Sequence, residues 1–371
     1  MYNNENEKGA ATMRDLGVYF GTFAPCHIGH FEQIVRAKRE NERALVIVSG
    51  YEGDRGDLAG MSLVNRTKAM RELLKDDDNV TVMKLDETDI PKYPAGWQPW
   101  LELLQAHIEE VGNFNTVTFY VGEDEYIEPL QTYFDAEWPA RDVIITRVDR
   151  RITGISGTSI RENPIYNWDY VTRPFRRFFV QNVLIIGTAS TGKTTLTRDL
   201  ARRYSTSYSL EYSREYQTER QVKDDELDIK DLQAIGIGQY ELNRKHIHSP
   251  GTRKVFFADT DVMTTKLYSK IYLSDEEYAH IAPVFDFYIS QQTWALILLL
   301  PPTTNYVDDG FRDMSQADMD SRNKMHQMFL DELEQHGLME QTVILKGESF
   351  QDKYEEAHRL VDELLAEGKD N

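Results

Sequence analysis

The sequence predicts an α/β protein of two domains, each a parallel sheet covered by helices. Three observations carry that expectation. Apolar runs alternate with helix-period segments along the whole chain. The 371 residues exceed what one hydrophobic core usually serves. Two glycine-bearing turns, "GTFAPCHIGH" from Gly21 and "GTASTGKTTL" from Gly187, each follow an apolar run and open a helix.

The first domain is expected over residues 15–170. Its strands are read in "LGVYF", "ALVIVSG", "NVTVMKL", "TVTFYVG" and "DVIITRV", with helical periodicity over Phe31–Glu42 and Asn65–Leu74. Residues 171–181 are read as a linker, because "ENPIYNWDYVTRPFRRFFVQ" breaks the alternation and carries two prolines. The second domain, 182–371, has strands in "NVLIIG", "KVFFADT", "WALILLL" and "TVILKG". Its helices are read over Thr194–Tyr204, Ser321–His336 and a charged amphipathic Gln351–Asp370. Parallel sheets of this kind collect ligands at the carboxyl ends of their strands, where both turns lie.

Composition narrows the function classes. A net charge of −20 argues against a general nucleic-acid binder, although it leaves room for a local basic pocket. The polar start, "MYNNENEKGAATMRD", reads as neither signal peptide nor anchor. The longest apolar run, "WALILLL", is too short to span a bilayer. One cysteine, Cys26, excludes an intrachain disulfide and suits a reducing compartment, so a cytoplasmic protein is expected.

In the second domain, Gly187 to Thr194 matches G-x-x-x-x-G-K-[ST] in full between a strand and a helix. Such a loop curls its N–H groups onto phosphate oxygens, Lys193 reaches the β/γ-phosphates, and the Thr194 hydroxyl can ligate Mg²⁺. "VFFADTD" ends a strand in Asp259 and Asp261, candidates for Mg²⁺ or for an ordinary helix cap. "SLEYSREY" offers Glu211, Arg214 and Glu215, either a proton acceptor with a phosphate partner or a solvated ion-pair face. Arg312 in "NYVDDGFRD" is either a lid arginine closing over a transferring phosphoryl group or surface charge.

In the first domain, His27 and His30 share one face at a helix start, where backbone N–H groups already favour an anion. No third ligand completes a zinc pattern there. "ISGTSIREN" places Ser156, Thr158 and Ser159 at another helix start, with Arg161 one turn in, a set suited to a triphosphate tail. Gly122 and Asp124 end a strand and suit a ribose hydroxyl. Trp97 and Trp100 lie in what reads as a proline-rich loop, where an indole would stack on a pyridinium or pack into the core. Cys26, inside the turn, is either a reactive thiol or an inert filler.

These motifs together resemble the nucleotidyltransferase superfamily, whose H-x-G-H and I-S-x-T-x-x-R signatures appear in "GTFAPCHIGH" and "ISGTSIR". Their pairing with a phosphate loop, "EYSREY", "ADTD" and "VDDGFR" resembles the bifunctional nicotinamide-nucleotide adenylyltransferase/ribosylnicotinamide kinase (NadR) family over residues 15 to 365. The resemblance implies an N-terminal Rossmann-like nucleotidyltransferase fold and a C-terminal P-loop kinase fold. It also implies that the kinase half phosphorylates nicotinamide riboside with ATP and the other half adenylates nicotinamide mononucleotide to NAD. Gly21, Thr22, Phe23, His27, His30, Gly122, Asp124, Ser156, Thr158 and Arg161 would then bind one ATP, and Trp97 the mononucleotide. Gly187, Ser190, Thr191, Gly192, Lys193, Thr194 and Thr195 would bind the other ATP. Thr194 and Asp259 would hold Mg²⁺, and Glu211, Arg214, Glu215 and Asp261 the riboside, with Arg312 on the phosphoryl group. Glu211 is preferred as base over Glu215, Asp259 and Asp261.

The family includes members with an N-terminal helix-turn-helix. This sequence reads as a form lacking it, without DNA binding, and its expected partners extend to functional coupling with a riboside transporter. Two other functions stay open: a nucleotidyltransferase–kinase fusion for another cofactor precursor, or an NAD/ATP sensor with one inactive domain.

Overall fold

A computed structural model describes residues 14–366 apart from 93, 149–153, 309 and 311. The chain divides into two units between Phe178 and Phe179. In the first unit the strands are β1 (Arg14–Gly21), β2 (Arg43–Gly50), β3 (Val80–Asp86), β4 (Phe114–Val121) and β5 (Asp142–Arg147). They alternate with helices α1 (Ile28–Glu40), α2 (Leu63–Leu73), α3 (Trp97–Val111) and α4 (Ile127–Glu137), and then come the short α5 (Gly157–Glu162) and α6 (Arg173–Arg176). The sheet is parallel with order β3-β2-β1-β4-β5. Its strand order reverses beside β1, which puts a ligand crevice at the end of that strand.

The second unit contains β6 (Gln181–Gly187), α7 (Lys193–Tyr204), β7 (Tyr208–Ser209), α8 (Tyr212–Arg220), α9 (Ile229–Ile247) and β8 (Val255–Asp259). It continues through α10 (Val262–Tyr272), α11 (Asp275–Ser290), β9 (Leu296–Leu300), α12 (Met319–Gln335), β10 (Thr342–Ile344) and α13 (Phe350–Ala366). This sheet is also parallel, in the order β10-β9-β6-β8-β7, with β6 at its centre. Strands such as "LILLL" and "VFFAD" are buried along their whole length because helices cover both faces.

The segment read as a linker is shared out. Thr172 donates its N–H and its hydroxyl to the Cys26 carbonyl, at 3.1 and 2.8 Å, so residues 171–176 brace the first unit. Trp97 corrects another expectation. It lies in no loop but is the first residue of α3, with its ring edge-on to Tyr126 at 5.2 Å and Trp100 at 5.9 Å. Pro99 is tolerated there because the first helical turn has no intrahelical acceptor for its missing N–H. In the second unit Lys266, buried on α10, pairs with Asp286 at 2.6 Å and with Glu332, and His336 reaches both carboxylates. Asp286, Glu332 and His336 converge closely enough to share a cation, and the Lys266 ammonium already supplies one.

Candidate active sites

In the first unit a cleft of about 840 Å³ opens at the end of β1. The chain leaves Gly21 and turns through Phe23, whose φ of 47° lies in the left-handed region. It enters α1 with His27 at the cap position. The His27 and His30 rings stack at 3.8 Å, and Phe23 meets His30 edge-on at 5.1 Å. Two imidazoles therefore sit beside the positive end of a helix, as the spacing predicts.

The "ISGTSIR" helix is brought to the same cleft. Ser156 caps α5, exchanging hydrogen bonds with Ser159. Arg161 donates to the Ala24 carbonyl at 2.6 Å and to the Thr158 hydroxyl at 3.1 Å, tying the two motifs together. Gly21, Thr22, Phe23, His27, His30, Gly122, Ser156, Thr158 and Arg161 all line the cleft.

Arg55 also lines it and was missed by sequence reasoning; it donates to the Thr22 hydroxyl at 3.0 Å. Its loop is pinned by Asp54, which forms a two-point pair with the buried Arg66 at 2.9 and 2.5 Å. Burial and the Arg55 charge both lower the Arg161 pKa, against the opposing pull of Glu162 and Asp54, so two guanidiniums share this wall. The signal was available in "GYEGDRGD", a glycine-rich turn following a strand at the ligand-bearing edge.

Two residues stand apart. Asp124 begins the turn after β4, exposed and paired to Arg147 at 2.9 Å, while its neighbours Gly122 and Glu123 face the cleft. Trp97 packs on Tyr126, which lines the cleft, but does not line it itself. Cys26 is fully buried, and desolvation pushes its thiol up to about 12. That makes it the inert filler rather than the reactive thiol.

In the second unit the loop after β6 is built as the motif requires. Gly187 has φ 146°, and a Cβ there would lie 2.5 Å from the Leu300 carbonyl. Gly192, at φ 92°, caps α7. Lys193 donates to the Thr188 carbonyl at 3.1 Å, and burial lowers its pKa. The Thr194 hydroxyl donates to Asp259 at 2.5 Å; the other Asp259 oxygen is buried without a partner. Burial pushes the Asp259 carboxyl up to about 6, against the opposing pull of Lys193. A hydroxyl and a carboxylate so placed fit a hard divalent cation. Thr191 is buried within the loop, and Thr195 is exposed on α7.

Beside the loop, Glu211, Arg214, Asp224, Gln239, Thr264 and Tyr268 line a small cavity of about 30 Å³. Burial alone would raise Glu211, but the charges of Arg214 and Lys193 outweigh it and hold the carboxyl below its ordinary value. Arg214 lies 3.7 Å from Glu211 and 3.8 Å from Asp224. Glu215 is exposed on α8 and does not line this cavity. Asp261 is buried at the start of α10, where desolvation pushes it up to about 7, and it too stays off the cavity. Arg312 donates to the Ser190 hydroxyl at 2.8 Å, which brings the expected lid arginine onto the phosphate loop.

Residues 18–163 match the cytidylyltransferase-like family model, and residues 182–353 match that of an AAA domain. A crystal structure of NadR protein in complex with NR is 38% identical, with a TM-score of 0.85 over 95% of this chain and 96% of its own. A crystal structure of NadR protein in complex with NAD and AMP-PNP is 37% identical over the same shares, with a TM-score of 0.84. The trifunctional NAD biosynthesis/regulator protein NadR of Salmonella typhimurium is 28% identical over 95% of this chain and 84% of its own length.

Proposed function

The chain belongs to the NadR family, and from that premise we propose how its two units divide NAD synthesis. The kinase unit, from Phe179 onward, transfers the γ-phosphoryl group of ATP to the 5′-hydroxyl of nicotinamide riboside, giving nicotinamide mononucleotide and ADP. The first unit transfers AMP from a second ATP to that mononucleotide, giving NAD and pyrophosphate. The observation that carries this reading is the coexistence in one chain of two different phosphate sites. One is a histidine pair with Arg55 and Arg161; the other is a phosphate loop facing Asp259 and Glu211.

In the first unit, the mononucleotide phosphate attacks the α-phosphorus in line, and no side chain forms a covalent bond. His27 and His30 hold ATP phosphates at the α1 start, while Ser156, Thr158 and Arg161 take the tail. Arg55 adds a sixth cationic or donor group to the same cleft. Catalysis is then positioning and charge stabilisation by groups set before the substrate arrives. Trp97, behind Tyr126, is assigned to the nicotinamide end and Asp124 to a ribose hydroxyl.

In the kinase unit, the loop from Gly187 to Thr195, with Ser190 and Thr191, holds the nucleotide, and Lys193 reaches the transferring end. Thr194 and Asp259 would hold Mg²⁺, which would supply neutralising charge to the phosphates. Glu211 accepts the riboside hydroxyl proton; Arg214 and Lys193 keep it ionised for that role. Arg312 closes over the phosphoryl group. Glu215 and Asp261 contribute less, one facing solvent and the other buried just ahead of α10.

Among the described residues no helix is long and apolar enough to cross a membrane. The net charge of −20 supports a chain whose ligands are nucleotides rather than DNA. The single, buried cysteine supports a cytoplasmic setting. The test is a time course: nicotinamide riboside, ATP and Mg²⁺ are incubated with the protein and separated chromatographically. Mononucleotide should rise first and NAD follow it. Absence of both would defeat the assignment, and mononucleotide alone would defeat it for the first unit.

A further inference from the structure

Arg322 lies in the first turn of α12 and is 3% exposed. It forms no ion pair among the described residues, and its Nε is buried without a partner. Its two remaining nitrogens donate to carbonyls on separate elements: Nη1 to Thr304 at 2.5 Å and Nη2 to Ala189 at 3.2 Å. Ala189 belongs to the phosphate loop; Thr304 belongs to the segment that carries Arg312. The same two elements are laced together at Ser190, which accepts from the Val307 N–H at 2.9 Å and from Arg312. The Arg312 and Arg322 guanidiniums each lie 5.7 Å from the centroid of the Tyr306 ring.

Burying an arginine without a carboxylate is costly, and two carbonyls offset only part of that cost. Burial and the Arg312 charge both lower the Arg322 pKa, and Tyr306 alone opposes them. The uncompensated charge sits against a loop whose N–H groups are curled for phosphate. We propose that Arg322 is a positioning residue of the kinase unit. It pins the lid segment to the phosphate loop and supplies buried positive charge that the polyphosphate of a bound nucleoside triphosphate neutralises. This rests on the reading of Gly187–Thr194 as the ATP site. Charge and bridge are separable functions: a lysine keeps the first but cannot span two carbonyls with a rigid fork.

The test compares full-length Arg322→Gln and Arg322→Lys with wild type in riboside phosphorylation, at varied ATP. Thermal unfolding is followed without nucleotide. Arg322→Gln should raise KM for ATP by about tenfold or more while the nucleotide-free unfolding midpoint holds or rises. Arg322→Lys should keep KM within about threefold yet lower kcat by about tenfold, because the lid is no longer pinned. A merely structural arginine would instead lower the midpoint and leave KM unchanged, and that result overturns the proposal. Should the glutamine variant not fold, a lysine variant with wild-type KM and kcat overturns it as well. Lys193→Ala is run alongside; if it still phosphorylates the riboside, the ATP-site reading fails independently of Arg322.

Discussion

Replacing Asp54 with alanine strips the counter-ion from Arg66, a guanidinium with no exposed surface. The structure lets the loss be itemised. Two charge-assisted bonds go, at 2.9 and 2.5 Å, and the Gly56 and Asp57 N–H groups lose their acceptor. Among the described residues the Met61 carbonyl, at 2.6 Å, is the acceptor still hydrogen-bonded to the guanidinium, and the Glu87 carboxyl feels its charge only from a distance. Arg66 cannot swing aside, because backbone encloses it: a Cβ at Gly56 would lie 1.9 Å from Nη1, and one at Gly50 2.3 Å from Nη2. A buried charge stranded in this way costs about 3–5 kcal/mol. Urea unfolding followed by tryptophan fluorescence reads it, since four of the five tryptophans (97, 100, 138 and 168) lie in the first unit. The double variant Asp54→Ala/Arg66→Met should recover much of the loss, because it buries no unpaired charge. A loss below about 1 kcal/mol in Asp54→Ala, or strict additivity in the double variant, would refute the reasoning. pH supplies a second check. Burial would raise Asp54, but Arg66 and the backbone N–H groups outweigh it and depress its pKa. The pair's contribution is therefore complete above the ordinary carboxylate range and fades as pH falls through the depressed value. The gap between wild type and Asp54→Ala should start to narrow as pH falls below about 4 and close only below the depressed value.

Two further outcomes follow from the sites. Glu211→Gln should lower kcat for riboside phosphorylation by about 10²- to 10⁴-fold, while Glu215→Gln stays within about twofold, measured as mononucleotide formed. Equal losses would remove the preference for Glu211 as base. Cys26 should resist iodoacetamide in the folded protein and react after denaturation, by mass spectrometry; rapid native labelling would contradict its burial and raised pKa.

Much of the architecture could be read from the sequence because both sheets are parallel and their inner strands are buried on both faces. Their strands are continuous apolar runs, and their ligand sites follow first strands directly. The elements it concealed are those where polarity and burial part company. Helix α9 buries Gln239 and Asn243 among Leu232 and Ile235, so its inner face does not read as apolar. Strand β7 is two residues long and carries no periodicity. The prolines flanking Trp97 suggest a loop, yet Pro99 falls in the one helical turn that tolerates proline. In the sites, local motifs stood out: the histidine pair, "ISGTSIR" and the phosphate loop. Arg55 and Arg322 did not, because each reaches its site from a distant segment, Arg55 by its bond to Thr22 and Arg322 by its bonds to the Thr304 and Ala189 carbonyls. Glu215 and Asp261 show the converse: a carboxylate in a suggestive motif is carried by helix phase to solvent or into the core.

The central claim is that each unit performs one step. It is tested most directly by crossing two variants with two substrates. With ATP and Mg²⁺, Lys193→Ala should form NAD from nicotinamide mononucleotide but nothing from nicotinamide riboside. His30→Ala should convert the riboside to mononucleotide and stop there. If either variant loses both steps, or His30→Ala still makes NAD at the wild-type rate, the division of labour between the two sites is contradicted.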